Sequence, residues 1–394
     1  MRTRRLTLIH KILLSIVLLI FSVLLIPQII WYLEPLRPLS ITVIDKTTGE
    51  RYREHHSLFW LLRHWKVVHP AAGSYYDERK DYYGYFPRDS TYSTSESLHL
   101  SDTDLLYLTD TYGVYRYPVP YDTYERLITK NYIPTELIYG GMTNEEIWKI
   151  EKYDSLGGMI VAEFNTLESP TSETPEIQSR FEKVMGVHFT GVLGRYYENL
   201  EDVPLWMKES YKKQFDEEWT FRKEGIIITD GRSGNERHPK LVVLDRSDLS
   251  YTPVHIQKSD HPFMEHAADD VPYYYFFEYL IPDSSAVVLA SYTLDCNAKG
   301  KLKMKYAGLP LTFPAVTASD STLKNFYFAG DFADNEVQTF FTYYAGAQYL
   351  LRWLYTPYLV SDQTRFFWRF YVPLMYGIVQ QSEHRSAMLH HPMR

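Results

Sequence analysis

The 394-residue sequence predicts an α/β domain on a mostly parallel sheet with helices on both faces, preceded by a transmembrane helix and followed by aromatic helices. Three observations predict this. Residues 12–33 form one uncharged apolar run, and a helix needs roughly 20 such residues to cross a bilayer. Between residues 105 and 193, short apolar runs ending in Gly or polar residues alternate with stretches at helical spacing, the pattern of strands joined by crossover helices. The tail from residue 336 onward is dense in Phe, Tyr and Trp and reads as helical.

The N-terminal segment sets the topology. Arg2, Arg4, Arg5 and Lys11 precede the apolar run, so residues 1–11 are expected in the cytoplasm. Trp31 and Tyr32 stand where an interfacial aromatic belt belongs. A cleaved signal peptide has a shorter apolar region, about 7–15 residues, and a small-residue cleavage site. This run is longer and no such site comes after it. The expectation is therefore a single-pass signal anchor over 12–33 in the cell membrane, with an extracytoplasmic or periplasmic α/β domain over 40–335 and a helical segment over 336–394.

Ser40–Asp45 alternates and is β-branched, a first strand. Ser57–Val68 carries an apolar stripe at helical spacing. Residues 71–97, polar and rich in Tyr, read as a long surface loop. Leu105–Leu108 and Leu137–Tyr139 are short strands, the second ending in Gly140-Gly141. Thr143 and Glu146 match a capping box opening a helix to about Tyr153. Met159–Phe164 is a strand, Glu173–Met185 a helix, and Val187–Leu193 a further strand. Beyond residue 200, after a helix over 206–219, strands at 225–229, 241–245, 253–257, 273–280, 286–293 and 325–330 read as the later half of the sheet with antiparallel additions. Phe340–Val360 and Phe366–Val379 are two aromatic helices. Arg352 and Pro357 argue against the first being a second span, and the pair is expected on the domain or at the membrane surface.

Composition narrows function. Acids outnumber bases 49 to 41, which excludes a basic nucleic-acid surface. The single cysteine, Cys296, excludes a disulfide framework and cysteine-cluster metal sites, and is expected buried. Thirty-five tyrosines, many in clusters such as Tyr273-Tyr274-Tyr275, suit the flat C–H faces and hydroxyls of sugar rings. The plainer reading is that they fill strands, where Tyr is favoured. There is no P-loop, G-x-G-x-x-G or G-x-S-x-G motif, and no cofactor is expected.

Leu105–Asp110, Gly157–Ala162, Ala286–Tyr292, Pro314–Val316 and Phe326–Asp331 together resemble strands of the class I glutamine amidotransferase-like superfamily, including branches associated with sugar enzymes. The resemblance spans about residues 40–335 and implies a flavodoxin-like α/β fold. It also implies a nucleophilic Cys at the turn after 158–163. This sequence reads Glu163-Phe164-Asn165-Thr166 there, so the amidotransferase mechanism is lost and a non-amidotransferase, membrane-anchored branch is implied.

Ligands of open α/β sheets bind beyond the carboxyl ends of the strands. If the strands are parallel, one rim collects Asp110 and Tyr112, Gly140 and Gly141, Glu163 and Asn165, and Arg195 and Tyr196. Asp110 and Glu163 form a candidate catalytic pair, acid with base or nucleophile, as glycoside hydrolysis requires. Asn165 and Arg195 would orient a hydroxyl or an anion, the glycines would admit a ligand close to the backbone, and Tyr112 and Tyr196 would contact it. The plainer alternative makes these residues helix caps and pairs Glu163 with Arg195. In Gly330–Asn335, Asp331, Asp334 and Asn335 can act as oxygen ligands for a hard cation or, more simply, as a turn and cap. His255, His261 and His266 lack a compact zinc spacing. No metal centre is assigned. The expected function is binding of carbohydrate, or of a membrane-protein partner in polysaccharide assembly or export, at the cell envelope. The alternatives are a glycan-processing enzyme and a non-catalytic structural subunit.

Overall fold

A computed structural model of the protein describes residues 8–47, 49, 52–88, 91–116, 136–233, 239–335, 339–355 and 363–390. Arg2, Arg4, Arg5 and Pro357 lie outside these. The apolar run forms helix α1 (Leu8–Leu33). The first half of the domain contributes β1 (Ile41–Asp45), α2 (Arg53–His64), β2 (Tyr83–Arg88), β3 (Thr91–Thr94), β4 (Leu105–Asp110), α3 (Asn144–Ser155), β5 (Met159–Glu163) and α4 (Pro175–Met185). Next come β6 (Val187–Tyr197), α5 (Leu205–Phe215), β7 (Gly225–Asp230), β8 (Lys240–Asp245), β9 (Leu249–Lys258), β10 (Asp270–Pro272) and β11 (Phe276–Pro282). The chain closes with β12 (Val287–Cys296), α6 (Ala298–Ala307), β13 (Thr312–Ala318), β14 (Asn325–Phe328), α7 (Ala347–Leu354) and α8 (Val372–His390).

A ten-stranded sheet has the order β10-β9-β12-β13-β14-β5-β4-β1-β2-β3. Its centre is parallel: β14 pairs with β5, β5 with β4, β4 with β1, and β1 with β2. From β14 outward through β13, β12, β9 and β10 every pairing is antiparallel. A second, antiparallel sheet runs β8-β7-β6-β11. The mostly parallel, flavodoxin-like sheet expected from sequence is therefore corrected to a mixed sheet beside an antiparallel one. One physical reason is connection length: the link from β13 to β14, residues 319–324, is too short for the crossover that a parallel pair requires, whereas β12 and β13 pair antiparallel although α6 joins them.

Two strands expected from local pattern sit elsewhere, and one expected loop forms strands. Glu136–Tyr139 joins Val114–Arg116 in a separate two-stranded ribbon. Val187–Tyr197 enters the antiparallel sheet, between β7 and β11. The expected loop at 71–97 contains the β2–β3 hairpin. The capping box is as expected: the Thr143 hydroxyl accepts the Glu146 N–H at 3.2 Å, and the Glu146 carboxylate accepts the Thr143 N–H at 2.7 Å.

The main core lies on the ten-stranded sheet and extends into the tail. Phe366, Phe370 and Tyr371 are sealed against Phe332 and Phe328. A π-helical turn at Phe367–Tyr371 passes into α8, whose Met375, Ile378 and Val379 are also buried. A smaller core joins α5 to the second sheet through Met207, Tyr211, Ile227, Leu241 and Val243. Cys296 is buried in the main core, and desolvation pushes its thiol up to about 11. At the domain's entry, Lys66 donates to the carbonyls of Trp31 (2.9 Å) and Tyr32 (3.3 Å), closing the last turn of α1. Trp31 is itself buried, its indole N–H donating to the His64 carbonyl at 2.8 Å.

Candidate functional site

Four central parallel strands end on charge. Asp45 closes β1, Asp110 closes β4, Glu163 closes β5, and Asp331 and Asp334 come just after β14. These strands are apolar along their length because both faces are covered, so the first carboxylates fall where they leave the sheet.

Asp110 is buried and well supplied with donors. It accepts the Thr47 hydroxyl at 2.6 Å, the Tyr112 N–H at 2.5 Å and the Asn165 side-chain amide at 3.1 Å. Burial nevertheless outweighs those bonds and pushes its carboxyl up to about 7. Asn165 adopts a left-handed φ of 65°, which Asn tolerates better than most residues. That turn aims its N–H at the Glu278 carboxylate, 3.2 Å away.

Glu163 is sealed. It accepts the N–H groups of Phe332 and Ala333, each at 3.0 Å, and the Tyr107 hydroxyl. Tyr107 in turn meets the Tyr371 hydroxyl at 2.9 Å. Burial pushes Glu163 up to about 8. The carboxylate thus holds the turn leading to Asp334 and ties it to the tail. The plainer reading paired it with Arg195, but the Arg195 guanidinium lies over the rings of Tyr197 and Phe276 instead.

The acids beyond β14 meet α2. Ligand oxygens of Glu54, Asp331 and Asp334 all lie within 4.8 Å of one another. Asp334 accepts the Tyr275 hydroxyl at 2.6 Å and pairs with Arg53 at 3.0 Å. Burial, then the neighbouring carboxylates, holds Glu54 and Asp331 well above the usual carboxylate range. Two of the three oxygen residues noted at 331–335 thus converge. The third, Asn335, bonds back to the Phe332 carbonyl as a turn residue, and Glu54 takes its place. Nothing in the sequence around Glu54 marked it.

The glycines arrive by another route than expected. The Gly141 N–H donates to the Thr111 carbonyl at 2.7 Å, which fastens the ribbon beside the rim. Gly140, at φ 157°, packs on Gly113, where an added Cβ would come within 2.7 Å of the Gly113 Cα. Lys46, the residue after β1, is buried and donates to the Gly141 carbonyl and to Glu146, at 2.6 and 2.7 Å. Above it opens a cleft of about 390 Å³ lined by Tyr83, Leu98, Tyr139, Gly140, Glu145 and Lys149 among others. Of the lining, the sequence had marked Gly140 as a site residue and Thr143 and Glu146 as a helix cap.

Arg195 and Tyr196 lie on β6 of the second sheet, off the parallel rim. The Arg195 guanidinium sits 4.3 Å over the Phe276 ring, which stacks on Phe164 at 5.2 Å, so it stands one residue layer from Glu163 and Asn165. Tyr196 packs on Tyr274, and Tyr112 on Tyr115. The structure therefore brings Asp110, Asn165, Tyr112, Gly140 and Gly141 to one edge and leaves Tyr196 away from it.

No family model matches the chain, and no curated protein matches it. Two crystal structures of ThuA-like proteins align with it. The one from Bacteroides uniformis covers 89% of this chain and 92% of its own, at 10% identity and a TM-score of 0.37. The one from Parabacteroides merdae covers 74% of this chain and 79% of its own, at 12% identity and a TM-score of 0.34. At those TM-scores the likeness carries no weight for function.

Proposed function

We propose that this chain is a membrane-anchored, extracytoplasmic protein of the cell envelope that binds a carbohydrate at the carboxyl edge of its central strands. It would be a branch of the amidotransferase-like superfamily without the nucleophilic cysteine. The observation that carries the reading is the cleft over Lys46. Its 390 Å³ lies in the range of small-ligand pockets, roughly 300–1,000 Å³. Tyr83 and Tyr139 supply flat aromatic walls for C–H faces, while Glu96, Glu145 and Lys149 supply acceptors and donors for hydroxyls. Helix α1 supports the anchor, being long and apolar enough to span a bilayer.

A second reading, glycan processing, draws on Asp110. A carboxyl that keeps its proton to about pH 7 is suited to general-acid work. Glu163, the other half of that pair, is more tightly sealed than Asp110, 1% against 6% exposed, though each accepts from three donors. The less buried carboxyls that share the field at Asp110 are Glu54 and Asp331.

The test is a titration of the full-length chain in nanodiscs with a panel of mono- and disaccharides, followed by ligand-observed NMR. Saturable binding that Tyr139→Ala abolishes and Tyr139→Phe largely retains supports the reading. Absence of saturation across the panel, or binding that both variants leave unchanged, removes the cleft from it.

A further inference from the structure

Ile12–Ile26 of α1 face solvent throughout, about 22 Å of helix at 1.5 Å per residue. A bilayer's hydrocarbon core is about 30 Å thick. Contact with the domain begins at Pro27, whose carbonyl accepts the Ala345 N–H at 3.1 Å. It continues at Trp31, whose ring lies 5.0 Å from that of Tyr343. A span that starts at Ile12 therefore still runs inside the membrane when it meets Tyr343 and Ala345. The chain just beyond Ala345 stands at the membrane's outer boundary.

That stretch is α7, apolar on its buried side and along an outer stripe, with Gln348 and Arg352 on the flank between them. Ala347 and Leu351 are buried on the domain. Tyr349, Leu350, Trp353 and Leu354, at i, i+1, i+4 and i+5, form the opposite stripe and are 49–70% exposed. Phe340, 61% exposed, extends the patch. A helix on a water-facing surface carries polar residues on its outer side. Trp, Tyr and Leu are the residues that settle at the level of lipid headgroups.

We propose that α7, with Phe340 and Tyr343, is a lipid-docking element. Its outer stripe enters the headgroup and upper acyl region of the bilayer beside the exit of α1, so the domain is held at two points and cannot swivel about the anchor. The inference rests on the reading of α1 as a membrane span. Lys66 makes the two points rigid with respect to each other by fastening the end of α1 to the domain.

The test uses the full-length chain in phosphatidylcholine vesicles at low protein density. An environment-sensitive fluorophore is attached at Leu350→Cys or Trp353→Cys on the patch, at Phe21→Cys in the span, and at Tyr251→Cys, an 85% exposed position, as aqueous control. Cys296 is buried and does not compete for label. The patch labels should shift to the blue and be quenched most by nitroxide lipids carrying the spin near the headgroup. The Phe21 label should be quenched most by nitroxides deep in the chains, and the Tyr251 label only by aqueous iodide. If Phe21 is quenched deep while both patch labels behave like Tyr251, the docking proposal falls and the span stands. Patch labels shielded from nitroxide lipid and iodide alike mean that a second copy or a protein partner covers α7, which also overturns it. A Phe21 label that lipid nitroxides leave unquenched overturns the span reading, and the docking proposal with it.

Discussion

Lys46 and Glu146 form an ion pair at 2.6 Å with both side chains almost fully buried, one hundred residues apart in sequence. Glu146 serves three partners at once: it closes the Thr143 capping box, accepts the Tyr83 hydroxyl at 2.8 Å and pairs with Lys46. Burial pulls the Lys46 pKa down and Glu146 acts against that pull. The pair therefore joins the end of β1 to the first turn of α3 beneath the proposed ligand cleft.

Removing one partner of a buried pair leaves an uncompensated charge, a loss of about 3–5 kcal/mol. Lys46→Met should lower stability by that order. The double variant Lys46→Met/Glu146→Gln should recover part of the loss, because glutamine keeps an acceptor for Tyr83 without the charge. Denaturant melts of the single and double variants in detergent check this. A Lys46→Met melt equal to the parent's would show that the pair contributes nothing to the fold.

Local chemistry made much of this legible. The Thr143 box, the polar closures at Asp110 and Glu163, and the paired acids at 331–334 depend only on neighbours in sequence. Partners across the sheet did not show. Lys46 and Glu146, or Glu278 and Asn165, meet only once strand order is known, and residue alternation identifies a strand without naming its neighbour. Arg195 illustrates the limit. The strand read as ending at Leu193 runs on to Tyr197, so Arg195 lies within it, and it pairs antiparallel with β7 and β11. Its guanidinium returns toward the rim only because β11 brings Phe276 between it and Phe164.

The tail helices were expected on the domain or at the membrane surface; the aromatic side chains of 366–371 pack on the domain and complete its core. Phe370→Ala should cost about 3–5 kcal/mol, as for other buried Phe truncations. Deleting 364–390 should leave an aggregated chain, because Phe328 and Phe332 lose the rings that cover them. Soluble yield and size-exclusion profile measure the outcome. A monodisperse truncated chain with an intact melting transition would mean that the core closes without the tail.

Lys66 offers a test of the junction. Its ammonium satisfies carbonyls at the end of α1 that have no intrahelical partner, and hydrogen bonds involving a charged group contribute about 1.5–3 kcal/mol. Lys66→Met should loosen that turn without disturbing the sheet. Limited proteolysis of vesicle-bound protein should then cleave near Glu34–Leu36 several times faster, while the domain's own melting changes little. Unchanged cleavage would show that the other contacts, Trp31 with His64 and Pro27 with Ala345, hold the junction without the ammonium.

The buried carboxyls predict an unusual dependence of stability on pH. Desolvation raises Asp110 to about 7, and Glu163 and Glu278 to about 8. In the unfolded chain the same groups titrate near about 4. Between those limits the folded protein holds more protons than the unfolded one, so stability falls as pH rises. Their contribution is complete below about pH 4 and is lost as pH passes through about 7 to 8. Other acids act in the opposite sense at the low end, among them Glu151 and Asp230, which arginines hold below the usual range. The melting temperature should therefore be highest in mildly acidic buffer, near about pH 5 to 6, and fall steadily to about pH 8. Glu278→Gln, whose oxygen can still accept the Asn165 N–H while its amide donates to the Tyr327 hydroxyl, should flatten the alkaline limb. Melting curves of parent and variant across that range settle the matter. A parent whose stability is level or rising over the alkaline half of the range would mean that these carboxylates are ionised in the folded protein, with water or a bound cation at the rim.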